Sequence, residues 1–189
     1  DELLPGGRGD VHAAYANALR DHPELAGGDR ARVSALLATP WYAAHELGPA
    51  LAASIDAALA AERVGAVPEA RRHYERALSL WSHAPGDRSE LPLDHLEVHR
   101  RLADAACLMA DYDRALHLID IAIAAARELG DPLRVSDLIE RRARYLWIDG
   151  SPHAALAAYE EALVTCPPTP TVQRARALSS YGQSLMLLS

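Results

Sequence analysis

The chain has 189 residues, half of them hydrophobic, with 26 acidic and 19 basic side chains and a formal net charge of −7. That is enough apolar material to bury a core, as one domain or one extended array, while the acidic balance argues against a nucleic-acid-binding face, which needs concentrated positive charge. No apolar run reaches membrane-span length and no signal-peptide pattern opens the chain, which excludes a membrane partner and points to the cytoplasm.

Alanine dominates, and Leu, Arg and Glu supply most of the rest, while Lys and Phe are absent. Helix is therefore favoured throughout, and no segment alternates with the period of a strand. Turn signals predict about nine helices. The first covers 10–20 after LPGGRGD, and the second 29–46 after HPELAGGD. Leu47-Gly48-Pro49 makes a break, with Pro49 in the first turn of a third helix that runs to Arg63 and is ended by Gly65. The fourth runs from Pro68 to Trp81, and SHAPGDRSELP is the longest loop. The remaining helices are predicted over 92–110, 112–129, 133–149, 152–165 and 171–188. Gly130-Asp131-Pro132, Asp149-Gly150 and Pro167-Pro168 stop three of them. The chain lacks an initiator Met and stops inside a helical pattern at QSLMLLS, so a fragment of a longer protein is expected. Cys107 and Cys166 stand far apart with no CxxC partner, which predicts two buried, reduced thiols.

Two helices carry one face. EARRHYERALSLW (69–81) and AALAAYEEALVT (154–165) both place a small residue, a Tyr four positions on, and Ala-Leu seven positions on: Ala70, Tyr74, Ala77-Leu78 and Ala155, Tyr159, Ala162-Leu163. Gly65 and Gly150 stand five residues ahead of each. The same frame fits Ala103, Ala110 at a turn, Tyr112, Ala115 and Ala122. Alanine where two helices cross lets the backbones approach closely, and a Tyr fills the gap beside it. The pattern resembles the tetratricopeptide repeat (TPR), a helix-turn-helix unit. It implies an all-α fold: an alpha-alpha superhelix, or TPR-like antiparallel helix-hairpin solenoid. One domain over 1–189 is expected, with atypical helices over 1–64, degenerate repeats over 51–85, 96–130 and 136–168, and a truncated fourth repeat over 175–189 with Gly182 at its small crossing position. The truncation is expected to expose Leu178, Tyr181 and Leu185, a surface for a homodimer through the C-terminal helix.

A wider likeness rests on LLPGGRGDVHAAYANAL, WYAAHELGPAL and YLWIDGSPHAALAAYEEAL. These segments, and essentially the whole chain, are similar to the helical region of large ATP-binding LuxR-type transcriptional regulators, also called STAND-class signalling ATPases. Related helical segments occur beside adenylate-cyclase modules. The resemblance implies an interaction or inducer-sensing segment between an upstream nucleotide-binding module and a downstream DNA reader. Neither flank is present: a GxxxxGK phosphate loop needs a Lys, and no recognition-helix signature stands out. ATP is thus implied only for the absent module, and no cofactor for this segment. A stand-alone adaptor is the competing reading.

A helical-repeat protein works through the surface lined by the first helix of each repeat. Glu97, Arg100, Asp104 and Cys107 share a stripe of the fifth helix, Asp137, Glu140, Arg144 and Trp147 of the seventh, and Arg176, Ser179, Gln183 and Met186 of the ninth. Charges beside an aromatic suit a peptide, a protein or a small-molecule inducer, and Glu97, Arg100, Asp104, Glu140, Arg144, Trp147 and Gln183 are the candidate groove. The competing expectation is ordinary pairing within each helix, Arg100 with Asp104, and Arg141, Arg142 and Arg144 with Asp137 and Glu140. His95 and His99 have metal-ligand spacing but no third ligand, which predicts an exposed helical face instead of a metal site. No acid/base or nucleophile constellation appears, so no enzyme activity is expected.

Overall fold

A computed structural model describes residues 5–27 and 30–188. All regular structure among the described residues is helical: α1 (Pro5–Asp21), a 3-10 turn (Pro23–Ala26), α2 (Arg30–Ala43), α3 (Leu47–Arg63), α4 (Val67–Trp81), α5 (His95–Leu108), α6 (Tyr112–Glu128), α7 (Pro132–Ile148), α8 (Pro152–Thr165) and α9 (Val172–Leu188). These follow the predicted elements closely. α1 starts earlier, at Pro5, and takes the predicted loop Gly6-Gly7-Arg8-Gly9 into its first turns. α5 starts later because Asp94 caps it, its carboxylate accepting from the Glu97 amide at 2.8 Å.

The links explain why the helices turn back. His45, Gly65, Ala110, Gly130 and Gly150 all have left-handed backbone, with φ between 59° and 84°. The amide one residue further on reaches back five residues in each case: Glu46 to Trp41, Ala66 to Ala61, Asp111 to Ala106, Asp131 to Ala126 and Ser151 to Leu146, at 2.9–3.4 Å. That is the Schellman closure, which satisfies helix-end carbonyls and reverses the chain in two residues. α2 ends at Ala43, short of its predicted end, because His45 adopts this geometry.

The chain forms two compact units, one up to Val98 and one from His99 onward. In the first, α1 packs on α2, α2 on α3 and α3 on α4; in the second, α6 packs on α7, α7 on α8, and α9 on both α7 and α8. The repeated face lies where these helices meet. Ala70, Tyr74 and Ala77 are buried in the first unit, and Ala155, Tyr159 and Ala162 in the second. α6 buries Ala115 and Ala122 in the same frame, with Ile119 where the other two carry Tyr. Ala103 and Ala143 are also fully buried. Gly182 departs from its expected role. It is half-exposed, and a Cβ built there meets nothing within 4 Å, so α9 does not need a small residue at that point. Cys107 and Cys166 are buried free thiols, as expected. No described helix is long and apolar enough to cross a membrane.

Candidate binding cleft

Polar residues of the second unit join its helices. Ser136 on α7 donates to the Ala162 carbonyl of α8 at 2.9 Å, with both groups buried. Arg142 reaches Asp120 on α6 at 3.3 Å and Glu161 on α8 at 2.5 Å, and Arg127 on α6 also holds Glu161, at 2.7 Å. Asp104 on α5 accepts from Tyr145 of α7 at 2.6 Å, pairs with Arg100 at 2.6 Å, and has Arg141 at 3.5 Å. Burial, together with the Asp104 charge and the bond to it, pushes the Tyr145 hydroxyl far above its ordinary pKa.

These contacts correct the expected pairing along α7. Arg100 does pair with Asp104 on its own helix, but Asp137 is held by Arg176 of α9, and Glu140 accepts from Ser180 of α9 at 2.7 Å. Arg141 and Arg142 turn instead to α5, α6 and α8. The cause is position: Asp137 and Glu140 lie on the side of α7 that α9 covers. Glu140 is only 1% exposed and serves packing more than display.

Arg144 is left over. It is exposed, and among the described residues no carboxylate pairs with it. It opens onto a cleft of about 400 Å³ lined by Arg144, Trp147 and Ile148 of α7 and by Ser180, Gln183 and Leu187 of α9. Tyr159 of α8 and Ser184 of α9 complete the wall. Burial raises the Tyr159 pKa and the Glu140 charge adds to this, while the Ser184 hydroxyl bonded to it and the Arg144 cation act against them. Burial likewise raises the Cys107 pKa, with Asp104 adding to the shift and Arg144 opposing it.

Of the seven candidate groove residues, three line this cleft: Arg144, Trp147 and Gln183. Glu140 supports it through Ser180, and Arg100 and Asp104 are joined to each other and to Tyr145. Glu97 belongs to the first compact unit, half-buried on the first turn of α5. Of the predicted α9 stripe, Gln183 lines the cleft, and the rest of that wall comes from residues one position further along. Ser180 and Ser184 face the cleft, whereas Ser179 is exposed and Met186 is 79% exposed. Tyr159 could have been found from the repeated face; nothing in the sequence distinguishes Ser180 from Ser179.

No three of the described His, Cys, Asp and Glu side chains converge as metal ligands. His95 packs its ring against Trp81, centroids 5.0 Å apart and tilted by 40°, and His99 is buried, so the exposed face expected for the pair does not form at His99.

No protein-family model matches the chain, and no curated protein matches its sequence. Its fold is shared with two solved structures of a kinesin light chain-like protein of Podosopora anserina, described as having nearly identical TPR-like repeats. One, a variant, is 18% identical over 100% of this chain and 94% of its own, with a TM-score of 0.62. The other is 18% identical over 99% and 94%, with a TM-score of 0.61. Helix order, hairpin turns and these likenesses together make the fold a TPR-like all-α helical repeat.

Proposed function

We propose that the chain is the non-enzymatic interaction or inducer-sensing segment of a cytoplasmic LuxR-type transcriptional regulator, and that it takes its ligand in the α7–α9 cleft. The observation that carries this reading is Arg144, a cation with no carboxylate partner among the described residues, beside Trp147 in a cleft of about 400 Å³. Its volume lies within the range of small-molecule sites, and its lining mixes apolar surface with polar groups that could orient a ligand. The TPR-like fold supports an interaction role, and the resemblance of WYAAHELGPAL and YLWIDGSPHAALAAYEEAL supports the regulator. A ligand can bias the ATPase and DNA-binding modules of such a parent only by binding two states of the segment unequally. The flanking reading frame tests the assignment: a GxxxxGK phosphate loop upstream and a helix-turn-helix downstream are expected, and a frame with neither would remove the regulator.

The adaptor reading draws on a different observation. Leu178 and Leu185, seven residues apart on one side of α9, are exposed, an apolar face of the kind that partners cover. Tyr181, expected to share it, is instead tied to Glu160 of α8 at 2.6 Å. Sedimentation of the chain against Leu185→Asp tests self-association through this helix: a dimer that becomes monomeric in the variant supports it, and a monomer in both removes it.

A further inference from the structure

The α7–α9 cleft has a chemical polarity that narrows its ligand. Arg144 stands at one part of the wall, exposed and without a carboxylate partner among the described residues. Every other arginine between Arg141 and Arg176 is engaged: Arg141 and Arg142 by carboxylates, Arg174 by the carbonyls of Leu163 and Cys166 at 3.1 and 3.4 Å, and Arg176 by Asp137. Ile148, Leu187 and the Trp147 ring supply apolar surface in the same cleft. The Ser180 hydroxyl gives its proton to buried Glu140, so its remaining capacity toward the cleft is as an acceptor. Gln183 offers both a donor and an acceptor.

Resting on the cleft reading above, we infer that the ligand is a small amphipathic carboxylate. Its anion is held by Arg144 and the Gln183 amide, and its apolar body lies against Trp147, Ile148 and Leu187. A guanidinium matches a carboxylate through two parallel hydrogen bonds, and partial desolvation in a cleft strengthens them. The volume of about 400 Å³ suits a small molecule and is modest for an extended polypeptide. Arg174, Arg176, Ser180 and Tyr181 tie the first half of α9 to α7 and α8. Its last turn presents Leu187 to the cleft, so an occupant would add contacts between α7 and that turn.

The test is titration of the full chain with 4-phenylbutyrate and with its neutral amide, followed through the indole N–H signals of the three tryptophans. Trp147 is assigned by the signal lost in Trp147→Phe. The expected result is a saturable shift of the Trp147 signal with the carboxylate, at least about tenfold weaker binding of the amide, and a similar loss with the carboxylate in Arg144→Gln. Equal binding of acid and amide, or unchanged affinity in Arg144→Gln, overturns the carboxylate assignment and leaves the cleft standing as a site. Silence of the Trp147 signal toward both probes, with a response to an acidic peptide, overturns the small-molecule assignment alone. Silence toward all three overturns both this inference and the cleft reading.

Discussion

The Tyr145 hydroxyl donates to one carboxylate oxygen of Asp104 at 2.6 Å while Arg100 takes the other at 2.6 Å, so α7 is fastened to α5 through a charged acceptor. A phenol this deep resists ionisation, because burial and the adjacent carboxylate both disfavour the phenolate.

Alkaline stability follows from that bond. The folded pKa of Tyr145 lies well above the ordinary 10.0, so the fold keeps a proton that the unfolded chain releases. Its contribution is complete below pH 10 and declines as pH rises beyond it, by about 1.4 kcal/mol per unit. Urea unfolding between pH 9 and 11 should show this decline. Tyr145→Phe should lower stability at pH 7 by about 1.5 kcal/mol and flatten the alkaline slope, leaving the parts due to Cys107, Tyr159 and Tyr181, whose pKa values are also raised. An unchanged slope in the variant would assign it to other groups.

Ala110 is the alanine among the left-handed turn residues, at φ 59°. A Cβ there strains the backbone where Gly65 and Gly150 feel none. Ala110→Gly should therefore raise stability by about 0.5–1 kcal/mol, a gain in melting temperature of about 1–4 °C. A lower melting temperature would mean that the turn is not strained.

Gly182 and Ala143 should respond oppositely to enlargement. Gly182→Ala places a methyl in open space on a helix and should stabilise by up to about 1 kcal/mol. Ala143→Leu forces three carbons into a fully buried position and should cost about 1–3 kcal/mol. Thermal melts of both variants check the pair, and a destabilised Gly182→Ala would restore the close crossing expected from the sequence.

The Ser136 hydroxyl satisfies the Ala162 carbonyl beyond the α8 backbone's own bonding, in a site closed to water. Ser136→Ala should cost about 1 kcal/mol in chemical denaturation. Ser179→Ala, on the exposed side of α9, should cost less than about 0.5 kcal/mol. Equal losses at the two sites would show that the buried bond contributes nothing special.

Much of the fold was legible because helix spacing and turn residues are local signals. Ala70, Tyr74, Ala155 and Tyr159 announced the buried face, and Gly65 and Gly150 the reversals. His45 gave no such notice, since its left-handed backbone is imposed by the turn and not by its side chain. The cleft was only partly readable. Arg144, Trp147 and Gln183 stood out by type, but which arginines would be used up depends on partners 19 to 39 residues distant, such as Arg142 with Glu161 and Arg176 with Asp137. The inward-facing serines of α9 were likewise hidden, because its Ser-Ser-Tyr-Gly-Gln run has no strong apolar side to fix which serine turns inward.

Five reversals built the same way carry a kinetic consequence. Each closes through amides that reach back only five residues, so a hairpin can zip up from one continuous stretch of chain without waiting for a distant segment to arrive. Chains dominated by such near-neighbour encounters collapse on the order of milliseconds or faster, and they can begin from whichever hairpin forms first.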